Sequence, residues 1–544
     1  MVTCLVHSPR RGDPEVSLEF VTKPSRDFFV RISRDSDPTS GKALDLGWHG
    51  AIIVIVIGTL LRLIVGARLP LVPDETYYWE WSRHLAFGYF DHPPLLALLI
   101  WLGTTVFGDH PIGIRVLPIL CGSVAGLSIA ATARRIAGSY AAAEAAIIIN
   151  VIPLAAAGLV LATPDAPLLA AISTALYFIV VAIQSPRRSA ASLRSWSWAG
   201  VALGFAFCSK YTSILLPTGV LIAFLSHRSL WPRFAEWGPY AACTIATLIF
   251  VPVLVWNSQH HWISFTYQIE HGLGGTPGSL FWSAWRHEGD LVGGQAGLAT
   301  PILFVMIAIA VGKKLRPQPA PDLWLLAITS ALFALFFVYS AIKKRVEPNW
   351  PAPAYIGGVV LFAAHGWSER AKKWRAAGIS LAGVLTLAVY LHAFEPVFPI
   401  PPAKDPVARA FGWGALAEAA ERAAAAPRDR AHPRARVWIS ADRYQDASEI
   451  AYHSPTHIQT FALNIGGRPN QYDLWPGFAS RAFAGDRLVV AVDETRGPHD
   501  AIVTLSPYFE SILRGELVEL RRGDAVIAVR RLYTLDGWRG GWPR

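Results

Sequence analysis

Apolar runs alternate with short polar segments along most of the chain, after a polar stretch that covers residues 1–48. The first run covers residues 51–66, and a loop rich in acidic and aromatic residues follows at 71–92. Further runs cover residues 114–133, 141–161, 165–183, 198–207, 214–225, 240–256, 302–311, 323–342, 355–364 and 379–391. A helix needs about 20 residues to cross the bilayer core. The pattern therefore predicts a polytopic α-helical membrane protein with about eleven crossings.

Lysine and arginine are concentrated in every second loop between the predicted crossings. These basic loops lie at residues 134–135, 187–194, 228–233, 313–316 and 370–375. Cytoplasmic loops of membrane proteins carry such an excess, so the N-terminus is predicted in the cytoplasm and the C-terminal region outside. A short apolar run at 93–108 would break the alternation if it crossed, and we predict that it lies at the interface or re-enters the membrane. Residues 257–299 are predicted to form a long outer loop.

The composition agrees with a membrane protein. Hydrophobic residues make up 53% of the chain and charged residues only 16%, whereas soluble domains carry about 25% charged residues. The net charge of +10 is explained by the basic loops, so we expect membrane lipids and not nucleic acid as partners. The four cysteines have neither metal-ligand spacing nor the pattern of a disulfide framework.

The C-terminal region changes character. A helix is predicted at residues 413–426, and strands at 436–440, 488–492 and 525–529. The chain is thus predicted to comprise a cytoplasmic, poorly ordered tail (1–48), a membrane domain (49–393) and a small extracytoplasmic α/β domain (394–544).

Acidic residues stand at the predicted outer face. Asp74 and Glu75 follow the first run, and Asp91 precedes His92 where the loop returns to the membrane. Acids at a membrane face are costly and usually functional, although a solvated loop is the alternative. Asp165, between two runs, is either a helix N-cap or a ligand-binding residue.

Basic residues on the outer side are exceptions to the charge pattern. Lys210 and Tyr211 occupy one outer turn, and Lys343, Lys344 and Arg345, here termed the basic triplet, lie in another. Phosphate groups attract such residues, and anionic lipid headgroups are the alternative ligand. The chain contains no Walker motif, dinucleotide fingerprint or HExxH sequence, so a lipid-linked donor fits better than a nucleotide sugar.

The chain resembles the ArnT-like and bacterial protein-mannosyltransferase-like GT-C glycosyltransferases (families 39 and 83) over about residues 50–480. The similarity lies in PDETYYWEWSRHLAFGYFDHPPL and in the blocks TPDAPLL, SKYT, EPNWPAPAY, DRYQDASEIAYH and QYDLW. It implies a GT-C fold with about 11–13 transmembrane helices and an outer cavity for a polyprenyl-phosphate sugar. By this resemblance Asp74 is the catalytic residue. Donor contacts are expected from Glu75, Tyr77, Asp91, His92, Asp165, Lys210, Tyr211, the basic triplet and Asn349.

The resemblance implies inverting transfer from a polyprenyl-phosphate donor to a lipid or cell-envelope glycan, at the periplasmic face of the inner membrane. Asp74 would accept the hydroxyl proton. No cofactor is required, and a divalent metal at Asp74 and Glu75 is an alternative. His92 replaces a lysine of the family pattern, which shifts phosphate binding toward Lys210 and the basic triplet. A protein O-glycosyltransferase and a lipid-linked sugar transporter remain alternatives, and the sequence names neither sugar nor acceptor.

Overall fold

The computed structural model describes residues 45–274, 280–316, 319–427, 432–465, 467–495 and 501–543. Most of the predicted N-terminal tail therefore lies outside the described residues. The first helix begins at Leu46 because the Asp45 side chain caps it, accepting a hydrogen bond from the backbone N–H of Trp48 at 3.1 Å.

Helices make up the region up to Phe394. They are α1 (Leu46–Arg68), α2 (Pro73–Arg83), α3 (Leu95–Phe107), α4 (Pro111–Ala137), α5 (Ser139–Val151), α6 (Pro153–Gly158), α7 (Asp165–Gln184), α8 (Ala190–Phe207), α9 (Leu215–Ser226), α10 (Trp237–Gln259), α11 (Ile263–Leu273), α12 (Leu280–Ala299), α13 (Pro301–Lys314), α14 (Pro321–Lys343), α15 (Ala354–Ala363) and α16 (Glu369–Phe394).

Small residues allow these helices to pack closely, as is usual in membranes. The helix α8 lies between α7 and α10. A Cβ atom at Gly200 of α8 would stand 2.6 Å from the carbonyl oxygen of Ala242 in α10. Only glycine fits this crossing, and the crossing fixes the C-terminal end of α8 that leads to Lys210.

Among the described residues, six helices are long and apolar enough to cross a membrane, namely α1, α4, α7, α10, α14 and α16. Two bent pairs of helices raise this number to as many as eight, and α3, α5 and α15 are shorter apolar helices. These findings confirm a polytopic helical protein. The number of about eleven crossings stays a prediction, because it depends on which shorter helices cross.

Three predicted segments differ from the structure. The loop predicted at 71–92 contains α2, because Pro73 starts the helix and the Glu75 carboxylate accepts the N–H of Val72 at 3.1 Å. The loop predicted at 257–299 is largely helical, as α11 and α12. The run at 141–161 is divided into α5 and α6 at Pro153, because proline cannot donate the backbone hydrogen bond that would continue α5.

The C-terminal domain contains a five-stranded mixed sheet. Its strands are β1 (Val437–Ala441), β2 (Thr460–Ala462), β3 (Arg487–Asp493), β4 (Phe509–Arg522) and β5 (Ala525–Trp538), in the order β2-β1-β3-β5-β4. The strand β1 pairs in parallel with β2 and β3, and β5 pairs antiparallel with β3 and β4. Helices α17 (Trp413–Ala425), α18 (Tyr444–His453), α19 (Phe478–Arg481) and α20 (Ala501–Leu505) complete the domain.

The predicted small α/β domain is confirmed, with α17 and three of its strands near the predicted positions. The strands β2 and β4 were not predicted. The strand β4 is mostly exposed and carries many charged residues, so it lacks the apolar run that marks a buried strand.

The domain is fixed to the membrane region through α2. The helix α18 packs against α2, where the hydroxyls of Thr76 and Ser448 lie 3.0 Å apart. The ring of Trp81 in α2 stacks on Tyr89 with centroids 4.5 Å apart. Thr76 thus links the first turn of α2 to the C-terminal domain, and Trp81 packs its last turn against the following loop.

Candidate active site

A cavity of about 1010 Å³ lies between the helical region and the C-terminal domain. Its walls come from α2, the loop after it, the start of α7, the turn between α8 and α9, parts of α10, α11 and α14, and the loop after α14. The C-terminal domain forms the rest. The predicted site residues that line it are Asp74, Tyr77, Asp91, His92, Asp165, Lys210, Tyr211 and Asn349.

Asp74 stands at the start of α2 and its side chain is exposed to the cavity. Burial among the cavity walls raises its pKa, while a hydrogen bond from Gln445 and the charges of Arg468 and Arg409 oppose that rise. The Gln445 side-chain amide donates to Oδ1 at 3.0 Å. Its Oδ2 has no hydrogen-bond partner among the described residues, so Asp74 presents a carboxylate oxygen of raised basicity, as a general base requires.

Asp165 organises the side of the cavity formed by the membrane helices. Its Oδ1 lies 2.8 Å from the Lys210 ammonium, and its Oδ2 accepts a hydrogen bond from the Asn349 side chain at 2.6 Å. Trp350 adds a ring face 5.8 Å from the same ammonium. Lys210 is thus held in place, and because an ammonium has three donors, it retains capacity to bind an anion.

Asp91 organises the side formed by the C-terminal domain. It pairs with Arg468 at 2.8 Å and accepts a hydrogen bond from the Tyr77 hydroxyl at 2.8 Å. Arg468 also donates to the hydroxyls of Tyr267 and Tyr444, at 2.6 and 2.7 Å. This guanidinium is rigidly placed at the cavity wall.

His92 faces the cavity as a neutral ring. Burial lowers its pKa well below 6.5, and the nearby charges of Lys210 and Arg468 add to the effect. Its Nδ1 has no hydrogen-bond partner among the described residues. His92 can therefore exchange hydrogen bonds with a substrate, but it does not supply the positive charge of a lysine.

The remaining wall of the cavity is apolar. The lining there includes Phe207, Phe250, Leu254, Phe336 and Phe337. An apolar wall that continues into a polar end with two anchored cations suits an amphipathic ligand that carries an anionic group.

Comparisons with known proteins agree with this geometry. Residues 91–256 match the family described as dolichyl-phosphate-mannose-protein mannosyltransferase. The lipid A galacturonosyltransferase RgtD of Rhizobium johnstonii is 27% identical over 324 residues, which are 57% of this chain and 64% of that protein. An undecaprenyl phosphate-α-4-amino-4-deoxy-L-arabinose arabinosyl transferase of Pseudomonas fluorescens is 24% identical over 38% of this chain and 40% of its own length. The matches thus span less than two thirds of these relatives.

The comparison of structures covers more of the chain than the comparison of sequences does. The structure of ArnT from Cupriavidus metallidurans bound to undecaprenyl phosphate covers 90% of this chain and 98% of its own, with a TM-score of 0.58 and 16% identity. The apo form of the same protein gives the same TM-score. In fold, this chain is similar to the ArnT glycosyltransferase along most of its length. The GT-C fold predicted from the sequence is confirmed.

Glu75 does not line the cavity of this GT-C protein. It is fully buried, and both its oxygens accept hydrogen bonds from Arg115, at 2.7 and 2.5 Å. The N–H groups of Ala162 and Val72 also donate to it. This placement contradicts the expected donor contact of Glu75, and it also leaves Glu75 without free oxygens for a metal shared with Asp74.

The basic triplet also lies outside the cavity lining. The Lys343 ammonium stands 4.9 Å from the ring of Tyr339, and the Lys344 ammonium donates to the carbonyl oxygen of Glu270 at 2.6 Å. Arg345 is exposed, 3.9 Å from Glu347. The structure therefore does not bring the triplet to the cavity, whose lining cations are Lys210, Arg409 and Arg468.

Sequence reasoning missed Arg468 and Arg409 as functional candidates. Both line the cavity but come from the C-terminal domain, where no predicted element marked them. The only signal for Arg468 is its position just before the QYDLW block. No comparable signal points to Arg409.

No group of three or more His, Cys, Asp or Glu residues in the described part of the chain could hold a metal ion. With Glu75 engaged by Arg115, the pair proposed for a divalent metal does not fit one.

Proposed function

We propose that this protein transfers a sugar from a polyprenyl-phosphate donor to a hydroxyl or phosphate group of lipid A or the lipopolysaccharide core. The active site would face the periplasm in the inner membrane, as the alternation of basic loops predicts. The single observation that carries the proposal is the cavity, because it combines an apolar wall, two anchored cations and a carboxylate of raised pKa.

The relatives favour a lipid or glycan acceptor over a protein. Three galacturonosyltransferases of Rhizobium johnstonii are named for lipid A or the lipopolysaccharide core. The ArnT structure of the same fold holds undecaprenyl phosphate. These names support the donor and acceptor classes proposed here.

The cavity suggests which side chains would take part in each step of the reaction. The polyprenyl chain would lie along the apolar wall, with its phosphate at Lys210 and Arg468. The acceptor hydroxyl oxygen bonds to the anomeric carbon from the opposite side, and the bond from that carbon to the phosphate oxygen breaks. The electron pair leaves with the phosphate, which the two cations stabilise. The hydroxyl proton passes to Asp74, and the configuration inverts.

A purified assay tests this function. The full-length protein in lipid nanodiscs is given lipid A with either a polyprenyl-phosphate sugar or the matching nucleotide sugar, and products are measured by mass spectrometry. We expect transfer from the lipid-linked donor only, with loss of transfer in Asp74→Asn. Transfer from the nucleotide sugar, or movement of the intact donor across the bilayer without transfer, would refute the proposal.

A further inference from the structure

The cavity wall contains a third cation, Arg409, that the proposed chemistry leaves without a role. Lys210 and Arg468 are each paired with a carboxylate. The side chain of Arg409 is exposed at the cavity and forms neither an ion pair nor a hydrogen bond with another residue in the described ranges. Its guanidinium is therefore available to a ligand.

The backbone that carries Arg409 is fixed although its head group is free. Ala408 and Ala410 on either side are buried, and the Trp413 indole donates to the Arg409 carbonyl oxygen at 2.8 Å. Three residues after Arg409, Gly412 has a left-handed φ of +90°. A Cβ atom at Gly412 would stand 2.6 Å from the backbone nitrogen of Arg521. Packing and a hydrogen bond thus hold the backbone on both sides of Arg409.

A buried ionic cluster holds the start of the same segment. Asp405 accepts hydrogen bonds from Arg522 at 2.7 Å and from the Val407 N–H at 2.9 Å, and lies 3.2 Å from the His392 ring. His392 belongs to α16 and Arg522 to β4, so the cluster joins the last apolar helix to the sheet. A fixed backbone with an unpaired head group is the arrangement expected of a preorganised binding residue.

The position of Arg409 indicates which part of the donor its guanidinium would contact. Arg409 enters the cavity from the C-terminal domain, as does Gln445, which donates to Asp74. Lys210 instead pairs with Asp165 on the side of the membrane helices. In the proposed reaction the donor phosphate stays near the membrane, because its polyprenyl chain stays in the lipid. The sugar lies between that phosphate and Asp74. On the domain side Arg468 is already engaged by Asp91, Tyr267 and Tyr444, so Arg409 is the cation of this side that is left to contact the sugar.

We propose that Arg409 binds the carboxylate of a uronosyl group on the donor, and so selects uronosyl over neutral hexosyl donors. A guanidinium matches a carboxylate through two parallel hydrogen bonds. It would repel the ammonium of an aminopentose. The inference rests on the proposed function, and the galacturonosyl relatives agree with it.

The test compares two donors that differ only in this group. Full-length protein in nanodiscs is assayed with polyprenyl-phosphate galacturonate and with polyprenyl-phosphate galactose, on the same lipid A. The variants are Arg409→Gln and Arg409→Lys, and Arg514→Gln is the matched control, because Arg514 is an exposed arginine of the same domain outside the cavity lining. Thermal unfolding of each variant shows whether it is folded.

We expect the wild type to prefer the uronosyl donor. In Arg409→Gln the kcat/KM for this donor should fall at least about tenfold more than for the galactosyl donor, as expected for a lost charged hydrogen bond. Arg409→Lys should recover part of the preference, and Arg514→Gln should keep all of it.

Equal losses with both donors would overturn the inference and leave the proposed function standing. Equal losses that disappear with dephosphorylated lipid A would likewise overturn it, by assigning Arg409 to the acceptor. Absence of transfer from either donor by the folded wild type would overturn the proposed function and this inference together.

Discussion

Asp74 and Glu75 are adjacent in the sequence, but the structure predicts opposite consequences for their amide variants. Asp74 faces the cavity and accepts one side-chain hydrogen bond, from Gln445. Glu75 is fully buried against Arg115, whose guanidinium also donates to the carbonyl oxygens of Gly66, Leu69 and Pro70. Asp74 is thus accessible to a ligand in the cavity, whereas Glu75 belongs to a buried ion pair.

The expected changes in stability and turnover follow from these contacts. Glu75→Gln removes the charge that compensates a fully buried guanidinium, and breaking a buried pair in this way costs about 3–5 kcal/mol of stability. Asp74→Asn keeps the shape of an accessible side chain, so its stability should change by less than about 0.5 kcal/mol. Its turnover should fall about 10²–10⁴-fold, because general-base assistance is lost.

Two measurements on the same preparations separate the roles. Thermal unfolding in nanodiscs should show a large decrease in the melting temperature for Glu75→Gln only, and transfer from a polyprenyl-phosphate donor should show a hundredfold loss for folded Asp74→Asn. Wild-type stability in Glu75→Gln would refute the structural role. Turnover by Asp74→Asn close to that of the wild type would remove Asp74 from the mechanism and make Asp165 the next candidate.

Three further predictions follow from the structure. Lys210→Gln should lower kcat/KM for the donor at least about tenfold through the lost charged contact, whereas replacing the basic triplet by glutamine should change it less than about threefold; the reverse order would return the phosphate site to the triplet. Burial raises the pKa of Glu449 well above 4.5, so the folded state disfavours its ionised form and wild-type stability falls as the pH rises above that value. The gain in melting temperature from Glu449→Gln should therefore grow between pH 5 and pH 8, and a constant difference would contradict this. Reporter fusions after Arg316 and after Glu395 should report opposite compartments, because three helices separate them; the same compartment would mean that α15 does not cross.

The sequence predicted the residues of the membrane-side wall well, because they lie at the ends of apolar runs. Asp165 and Lys210 each follow or precede such a run, and the structure brings them together at 2.8 Å. The different positions of the adjacent acids Asp74 and Glu75 could be predicted only from the geometry of a helix. Successive residues of a helix point about 100° apart, so once residues 73–83 form α2, Asp74 and Glu75 cannot both face the cavity.

The domain-side wall could not be predicted from patterns. Arg409 lies in a single 3-10 turn (Ala408–Ala410) and Arg468 in an irregular segment of the C-terminal domain. Tertiary contacts such as the packing of α18 on α2 bring that domain to Asp74. The basic triplet shows another limit of prediction from sequence patterns. The alternation of the basic loops predicted it on the outer side, and its charge suggested a phosphate contact. Charge alone does not decide whether a side chain turns toward a cavity or toward a nearby carbonyl group.

The most direct test of the central claim is a mass comparison of lipid A and core oligosaccharide from cells that express either the wild-type chain or Asp74→Asn at equal levels. The account predicts that wild-type cells contain a species heavier by one sugar residue, and that this species is missing from the variant. Identical spectra from the two strains, with both proteins present in the membrane, would contradict it.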